Sequence, residues 1–206
     1  MNTVLLGVPA YFLGRIPNAL WIGKVFKGID VREHGSRNTG STNAARVLGA
    51  KLGILTLILD ICKGAVPTGA ALLIHADTLE NFTGVSNIDA VVIGIMAIIG
   101  HSFSIFMKFK GGKAVATTVG VFTVLVPWAL LSAAVVFFIV FGISRYVSLS
   151  SIIGAVSLPI LIYIFYKNIF LTVFGLGIAV LIVMKHRSNI ERIMNGTEPK
   201  FTINKK

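Results

Sequence analysis

The sequence is poor in charged residues, and this scarcity restricts the kind of protein that it encodes. Only 13% of the 206 residues are charged, whereas 55% are hydrophobic and the mean hydropathy is +0.85. Soluble domains carry about a quarter charged residues. The apolar residues form long runs and not alternating strands, which excludes a transmembrane barrel. The sequence therefore predicts an all-α, polytopic membrane protein.

Cysteine and acidic residues are also scarce. Cys62 is the single cysteine, which excludes an intrachain disulfide and a thiolate metal cluster, and its apolar surroundings suggest a small buried hydrophobic residue. The 8 acidic residues face 19 lysines and arginines, giving a formal charge of +11. These cations are split among short loops, so they indicate a cytoplasmic face and anionic ligands, not nucleic acid. With few carboxylates in those loops, we expect no metal and no cofactor.

Five apolar regions are present, at about residues 4–23, 52–74, 88–107, 114–143 and 149–184. The last two are too long for single crossings of about 20 residues. Pro127 lies within the fourth region, and Lys167-Asn168 divides the fifth. Splitting both predicts seven transmembrane helices in a single domain over residues 1–206. The first region has no basic residues before it and no convincing cleavage site, so we interpret it as a retained span and not a signal peptide.

The charges then orient the chain. With seven spans, one side carries residues 24–51, 108–113, 144–148 and the tail from residue 185, which hold 16 of the 19 basic residues. The positive-inside rule places the N-terminus outside and the C-terminus in the cytoplasm. The polar clusters described next all fall on the cytoplasmic side or, for one pair, inside the second span. No internal repeat is evident.

The loop after the first span is dense in groups that bind anions. Residues 34–46 read HGSRNTGSTNAAR, in which glycines, hydroxyls, amides and arginines alternate. Backbone N–H groups, hydroxyls and a guanidinium fork together suit phosphate. The candidate residues are Ser36, Asn38, Gly40, Thr42, Asn43 and Arg46. The alternative is a polar loop that caps a helix beginning near Thr42.

A second cluster closes the third apolar region. Residues 101–118 read HSFSIFMKFKGGKAVATT and place three lysines beside a glycine pair. Glycines let backbone N–H groups approach an anion, and lysines supply charge. The candidates are His101, Lys110, Gly111, Gly112 and Lys113, although the Walker A pattern is absent. A positive-inside lysine cluster and a packing histidine are the alternatives.

Two ionisable residues lie inside the second span. Asp60 and Lys63 are three residues apart and share a helix face. Because ionisable groups in a membrane helix are costly, they usually face a polar interior. They either support the neighbouring anion site or form a mutually neutralising structural pair.

Two further polar segments follow the later spans. Arg145 and Ser148 belong to RYVSLSS, whose hydroxyls either cap the next helix or contact a substrate oxygen. His186, Asn189, Arg192 and Glu198 belong to HRSNIERIMNGTE, which is either part of a site or a solvated tail.

These segments, in this order, resemble the bacterial membrane acyltransferase family that uses acyl phosphate to acylate glycerol 3-phosphate. The family's motifs resemble GSGNxGATNxxR, GHxFxxFxxFKGGKGVAT and HRxNIxRxxxGxE, which are matched at residues 35–46, 100–117 and 186–198. Arg37 and Ala114 replace glycines, so a left-handed backbone at Arg37 is not expected and Ala114 is expected to tighten the helix start. Ser41 replaces an alanine, a mild change.

The resemblance implies seven spans at the bacterial plasma membrane, an active site facing the cytoplasm, and formation of 1-acyl-glycerol 3-phosphate (lysophosphatidic acid) with release of phosphate. It implies catalytic roles for Arg46, Lys113, Ser148, His186 and Asn189, with the other candidates binding substrate. We expect a monomer whose cationic and amide side chains converge in one pocket. The general base is His186, His101 or a substrate phosphate oxygen. The alternative function is a transporter of an organic phosphate or another anion.

Overall fold

The computed structural model describes residues 2–74, 88–107 and 111–201, with only the backbone described for Asn2 and Phe106. The predicted phosphate ligand Lys110 lies outside these ranges. Within them the regular secondary structure is helical and contains no strand, which confirms the all-α prediction. The described chain divides into two compact units, residues 2–125 and residues 126–201.

The first unit is built around one long helix. Its elements are α1 (Asn2–Gly14), α2 (Asn18–Lys27), α3 (Ser41–Leu48), α4 (Ala50–Leu73), α5 (Ile88–Ser102), a 3₁₀ turn (Ile105–Met107) and α6 (Val115–Leu125). Helix α4 contacts α1, α2, α3, α5 and α6. Helix α4 is therefore the central element of this unit.

The first apolar region is not one continuous helix, contrary to the prediction. Helix α1 ends at Gly14 and α2 begins at Asn18, so the chain is broken between them. Pro17 causes the break, because it has no N–H to donate and disfavours helical geometry at Ile16. The break leaves the Ile16 carbonyl available to a side chain, and Lys63 Nζ donates to it over 3.1 Å.

Glycines let α4 and α6 approach closely. A Cβ at Gly64 would overlap the carbonyl of Thr117, and a Cβ at Gly120 would overlap the carbonyl of Ile61. Small residues are the usual means by which membrane helices pack backbone against backbone. This contact holds the first turns of α6, which follow Lys113, against the middle of α4.

The second unit contains α7 (Pro127–Ser144), α8 (Val147–Tyr166), α9 (Ile169–Lys185) and α10 (Arg187–Met194). The predicted breaks at Pro127 and Lys167-Asn168 are confirmed. Pro127 is the first residue of α7, where its missing N–H costs nothing. Lys167 is left-handed with a φ of 50°, and Asn168 caps α9 by accepting the N–H of Leu171 over 3.0 Å.

The helices have the lengths and compositions of membrane segments. Three of the described helices, α4, α7 and α8, are long and apolar enough to cross a bilayer. A fourth crossing is added if α9 and α10, bent by 58°, count as one span, and α1, α5 and α6 contain shorter apolar helices. Cys62 is exposed on α4, not buried as predicted, because in a membrane protein an apolar run also provides the surface that faces lipid.

Candidate active site

Asn43 holds the polar loop of the first unit together. Its Nδ2 donates to the carbonyls of Val31 and Asn38, each over 2.9 Å, and lies 3.2 Å from that of His34. Its Oδ1 accepts the N–H of Ser36 over 2.8 Å. Both amide hydrogens are thus engaged by the loop, and the contact of Asn43 with phosphate stays a prediction.

The same loop contains two left-handed residues. Gly35 has a φ of 60° and packs so closely on Asn43 Oδ1 that a Cβ would overlap it. Arg37 has a φ of 58°, contrary to the expectation, and its N–H donates to the His34 carbonyl over 3.0 Å. Ala114 likewise has a φ of 60°. The chain therefore keeps a glycine-like backbone at both positions where it lacks the glycine.

The hydroxyls of the loop do not cap α3. The helix begins at Ser41, close to the predicted Thr42, but its N-cap is Gly40 and no side chain accepts there. Asn38 Oδ1 instead accepts the N–H of Gly40 over 2.9 Å. Ser36 is exposed, and Thr42 and Arg46 are half-buried at the two ends of α3.

Asp60 and Lys63 form a buried pair in the middle of the first unit. Lys63 Nζ lies 2.7 Å from Asp60 Oδ1, and both side chains are almost wholly buried, at 4% and 2% exposure. Asn18 Nδ2 donates to the same Oδ1 over 2.9 Å. The pair therefore bonds to Ile16, inside the break between α1 and α2, and to the first residue of α2.

His101 lies between this pair and the glycine turn of residues 111–112. Its Nδ1 is 4.0 Å from Asp60 Oδ1 and forms a 3.2 Å hydrogen bond with the Thr117 hydroxyl. Its carbonyl accepts the N–H of Gly112 over 3.2 Å. A Cβ at Gly112 would overlap His101 Nε2, and one at Gly111 would overlap the His101 carbonyl, so only glycine fits beside the histidine at either position.

A small opening joins the first two motifs. Its lining includes Arg15, Pro17, Thr39, Lys63, His101 and Gly112. Thr39 comes from the first motif, whereas His101 and Gly112 come from the second. Lys113 follows the glycine turn directly and is half-buried. The loop, the pair and the turn are thus neighbours in one unit.

Glu198 accepts hydrogen bonds from three candidate residues of the second unit. Its carboxylate accepts from Ser148 Oγ, Asn189 Nδ2 and Arg192 Nε, each over 2.7 Å. Burial raises the pKa of Glu198, but these hydrogen bonds outweigh it, and the pKa lies below its ordinary value of 4.5. The carboxylate is therefore ionised and faces donors of its own chain.

The segment after α10 is anchored to the second unit at Glu198 and at Phe201. The N–H of Phe201 donates to the Arg145 carbonyl over 2.9 Å, and its ring contacts Phe141. Arg145 itself is exposed and left-handed, with a φ of 62°. The hydroxyls near α8 do not cap that helix, because Ser150 and Ser151 donate back to carbonyls four residues earlier.

His186 occupies the bend between α9 and α10 and is buried. Its Nδ1 lies 2.8 Å from the Ile182 carbonyl. A carbonyl only accepts, so Nδ1 carries the proton. In the neutral ring the basic lone pair is then on Nε2, which leaves that nitrogen as the one suited to accept a proton.

Some residues of these clusters were missed from the sequence. Arg15, Asn18, Thr39 and Thr117 all contact or line the centre of the first unit. Arg15 had a signal, since it is a charge inside an apolar region two residues before a proline. Thr117 lies in the second motif but its spacing did not indicate a partner, and Asn18 had no signal at all.

The fold and these clusters define a helical membrane protein with buried polar networks suited to anionic ligands. Comparison with known proteins specifies it further. The family model described as glycerol-3-phosphate acyltransferase matches residues 4–196. The chain therefore belongs to the glycerol-3-phosphate acyltransferase family. This confirms the resemblance found in the sequence and makes the protein an acyltransferase.

Individual relatives align with this chain over almost their whole lengths. The chain is 46% identical over 194 residues to the glycerol-3-phosphate acyltransferase of Fusobacterium nucleatum, covering 94% of this chain and 95% of that protein. It is 42% identical over 200 residues to the enzyme of the same name from Bacillus subtilis, covering 97% and 98%.

Solved structures extend the comparison to three dimensions. The glycerol 3-phosphate form of PlsY (YgiH), an integral membrane glycerol 3-phosphate acyltransferase, superposes with a TM-score of 0.86 at 34% identity, covering 98% of this chain and 96% of that one. The lysophosphatidic acid form of that protein gives a TM-score of 0.84 at 33% identity, covering 98% and 97%.

Proposed function

We propose that this chain transfers the acyl group of an acyl phosphate to the 1-hydroxyl of glycerol 3-phosphate, giving lysophosphatidic acid and inorganic phosphate for phospholipid synthesis. The observation that carries the proposal is the likeness, over 98% of the chain, to an acyltransferase solved in glycerol 3-phosphate and lysophosphatidic acid forms. Acyl phosphate as donor rests on the resemblance of the three motifs to the family that uses it.

The reaction needs no covalent enzyme intermediate. The glycerol oxygen attacks the acyl carbon, an ester C–O bond forms, and the C–O bond to phosphate breaks with its electron pair. The hydroxyl proton goes to a base. Phosphate is a good leaving group, so the main tasks are to position two anions that repel one another and to stabilise the charge that develops.

In the first unit we propose that Arg46, Gly111, Gly112 and Lys113 contact phosphate, together with Lys110. The glycine pair lets the backbone approach an anion closely, and the cationic side chains provide hydrogen bonds and charge. Ser36, Asn38, Gly40 and Thr42 belong to the same site. Asn43 supports it by fixing the loop, as its internal hydrogen bonds require.

In the second unit we propose that Ser148 and Asn189 contact the substrate, Asn189 through its second amide hydrogen, with Arg145 and Arg192 adding charge. Glu198 holds three of these four side chains and is a positioning residue. The tautomer of His186 suits it as general base, and His101 and a substrate phosphate oxygen remain the other candidates. If His101→Ala and His186→Ala both keep wild-type turnover, neither histidine is the base.

We further propose seven spans at the bacterial plasma membrane, with the N-terminus outside and the site at the cytoplasmic face. In this arrangement the apolar parts of α1, α5 and α6 cross as short helices beside α4, and α7, α8 and α9 supply the rest. Short helices are tolerated where they border a polar interior. The distribution of basic residues supports this orientation.

Purified protein in detergent tests the proposed function. We expect release of inorganic phosphate from acyl phosphate only when glycerol 3-phosphate is present, with lysophosphatidic acid formed in equal amount. Glycerol in place of glycerol 3-phosphate is the matched control. A transporter would form no product in the absence of a membrane, and that result would overturn the proposal.

A further inference from the structure

We propose that Asp60 and Lys63 are positioning residues that fix the glycine turn of residues 111–112 for binding a phosphorylated substrate. The inference rests on the proposed function and goes beyond it, because both residues lie outside the three family motifs. It gives a specific form to one of the two alternatives left open by the sequence, namely that the pair supports the neighbouring anion site.

The first step of the argument is that Lys63 Nζ and Asp60 Oδ1 are engaged inside the protein. Lys63 Nζ is bonded to Asp60 Oδ1 and to the Ile16 carbonyl, and Asp60 Oδ1 also accepts from Asn18. The relative exposure of the whole residue, backbone included, is 1% for Asp60 and 5% for Lys63. The ammonium charge is therefore compensated and buried, which leaves it poorly suited to hold a phosphate directly.

The second step is that the pair is joined to the glycine turn through one ring. Asp60 Oδ1 and the Thr117 hydroxyl both lie near Nδ1 of His101, and Gly112 packs against Nε2 of the same imidazole. The His101 carbonyl accepts the Gly112 N–H. A rotation of the imidazole would thus displace the turn that leads into Lys113.

The third step concerns what a buried ion pair is for. Replacing such a pair by apolar residues of similar volume is often neutral or stabilising, so the pair is weak evidence for stability. We infer that the pair serves here to hold neighbouring groups in position. It fixes the Ile16–Asn18 break on one side and His101 on the other, and these flank the opening that also contains Thr39 and Gly112.

The test is steady-state kinetics on four purified variants: Asp60→Asn, Lys63→Met, the apolar double variant Asp60→Leu/Lys63→Met, and Asn18→Ser on α2. We expect the first three to raise KM for at least one phosphorylated substrate by about tenfold or more, equivalent to about 1.4 kcal/mol of binding, with kcat changed less. Asn18→Ser should shift the same KM by a smaller factor.

Matched controls come from the same helix. Among the residues that the structure describes, the hydroxyls of Thr56 and Thr68 donate only to carbonyls four residues earlier, over 2.8 Å each. Thr56→Val and Thr68→Val should therefore leave both constants unchanged. Lys63→Arg, which keeps the charge, should recover most of the lost affinity.

The outcomes separate the two proposals. If the wild-type protein turns over and the folded apolar double variant keeps both KM values, the pair is only structural and the inference is wrong. A fall in kcat alone would also contradict it. Should the double variant fail to fold, Asn18→Ser and Lys63→Arg decide, because both keep the pair's charges. If the wild-type protein itself forms no product, the proposed function fails first.

Discussion

Lys113 is the single residue on which the proposed chemistry of the first unit depends most. It follows the glycine turn and precedes the left-handed Ala114, so its backbone is fixed on both sides. Lys113→Ala should lower kcat by about 10²–10³, the cost of removing one donor from a developing negative charge. Phosphate release by purified protein measures it.

The control is Lys27→Ala, which removes an exposed lysine outside the motifs. It lowers the net charge by one, as Lys113→Ala does. It should leave turnover within about twofold, because the effect of an exposed charge is screened by salt. Equal kinetics for the Lys113 variant and the wild type would remove Lys113 from the mechanism.

Glu198 makes the stability of the second unit depend on pH in the acid range. Because the pKa of Glu198 is lower in the folded protein than the ordinary 4.5, its contribution is complete above pH 4.5 and is lost as the pH falls through the folded value. Glu198→Gln should lower stability by roughly 1–3 kcal/mol at neutral pH, since three donors lose a charged acceptor.

Melting temperature in detergent, followed from pH 7 down to about pH 3.5, measures this effect, and the glutamine variant should show the smaller loss on acidification. Glu191→Gln is the matched control, because Glu191 is exposed and bonds only to Arg187 among the contacts described. Parallel pH curves for wild type and Glu198→Gln would contradict the assignment.

The sequence pointed to Asn43 and Glu198 as substrate contacts, and the structure shows partners for both within the protein. Polarity and position show that a buried amide or carboxylate must have a hydrogen-bond partner. They do not show whether that partner is a substrate or the protein's own loop. Arg37 was misjudged for a related reason, since the turn closed by its N–H on His34 outweighs the cost of a left-handed arginine.

At the scale of helices, the contact of α4 with α6 sets the position of the segment that follows Lys113. Gly64→Ala should destabilise the protein by about 1–3 kcal/mol, because the new methyl group meets the Thr117 carbonyl. Thermal unfolding in detergent measures the change, and KM should also rise if α6 moves away from α4.

Gly69→Ala is the matched control in the same helix. Nothing lies within 4 Å of a Cβ at Gly69, so this substitution should be neutral or stabilising by about 0.5–1 kcal/mol through helix propensity. Equal effects of the two substitutions would mean that the two helices are not in close contact in the membrane.

The helix breaks show how far a sequence pattern reaches at this scale. Pro127 and Lys167-Asn168 interrupt apolar regions too long for one crossing, so length and residue type indicated both breaks. The break at residues 15–17 lies in a region of ordinary span length and was missed. Only the partners on α4, Lys63 and Asp60, show why a broken helix is stable there.

At the scale of the whole molecule, hydropathy and charge predicted the helical membrane class. They also predict an orientation, which cysteine labelling in intact cells tests. In a Cys62→Ala background, a cysteine at Lys167 should react with a membrane-impermeant thiol reagent, because the seven-span arrangement places it outside.

A cysteine at Lys200 should react only after the membrane is opened. Both lysines are exposed in the structure, so burial within the protein does not prevent either reaction. Labelling of Lys200→Cys in intact cells, or protection of Lys167→Cys, would reverse the proposed orientation. The single domain and the monomeric state stay predictions.

The acceptor that completes the second unit is made late. Glu198 follows Ser148 by 50 residues and Asn189 by 9. At a synthesis rate of roughly 5–20 residues per second, about 3–10 s pass between the synthesis of Ser148 and that of Glu198. A chain released before residue 198 would contain all the described helices yet lack the carboxylate to which Ser148, Asn189 and Arg192 donate, so the links between these three side chains depend on the last few residues to be synthesised.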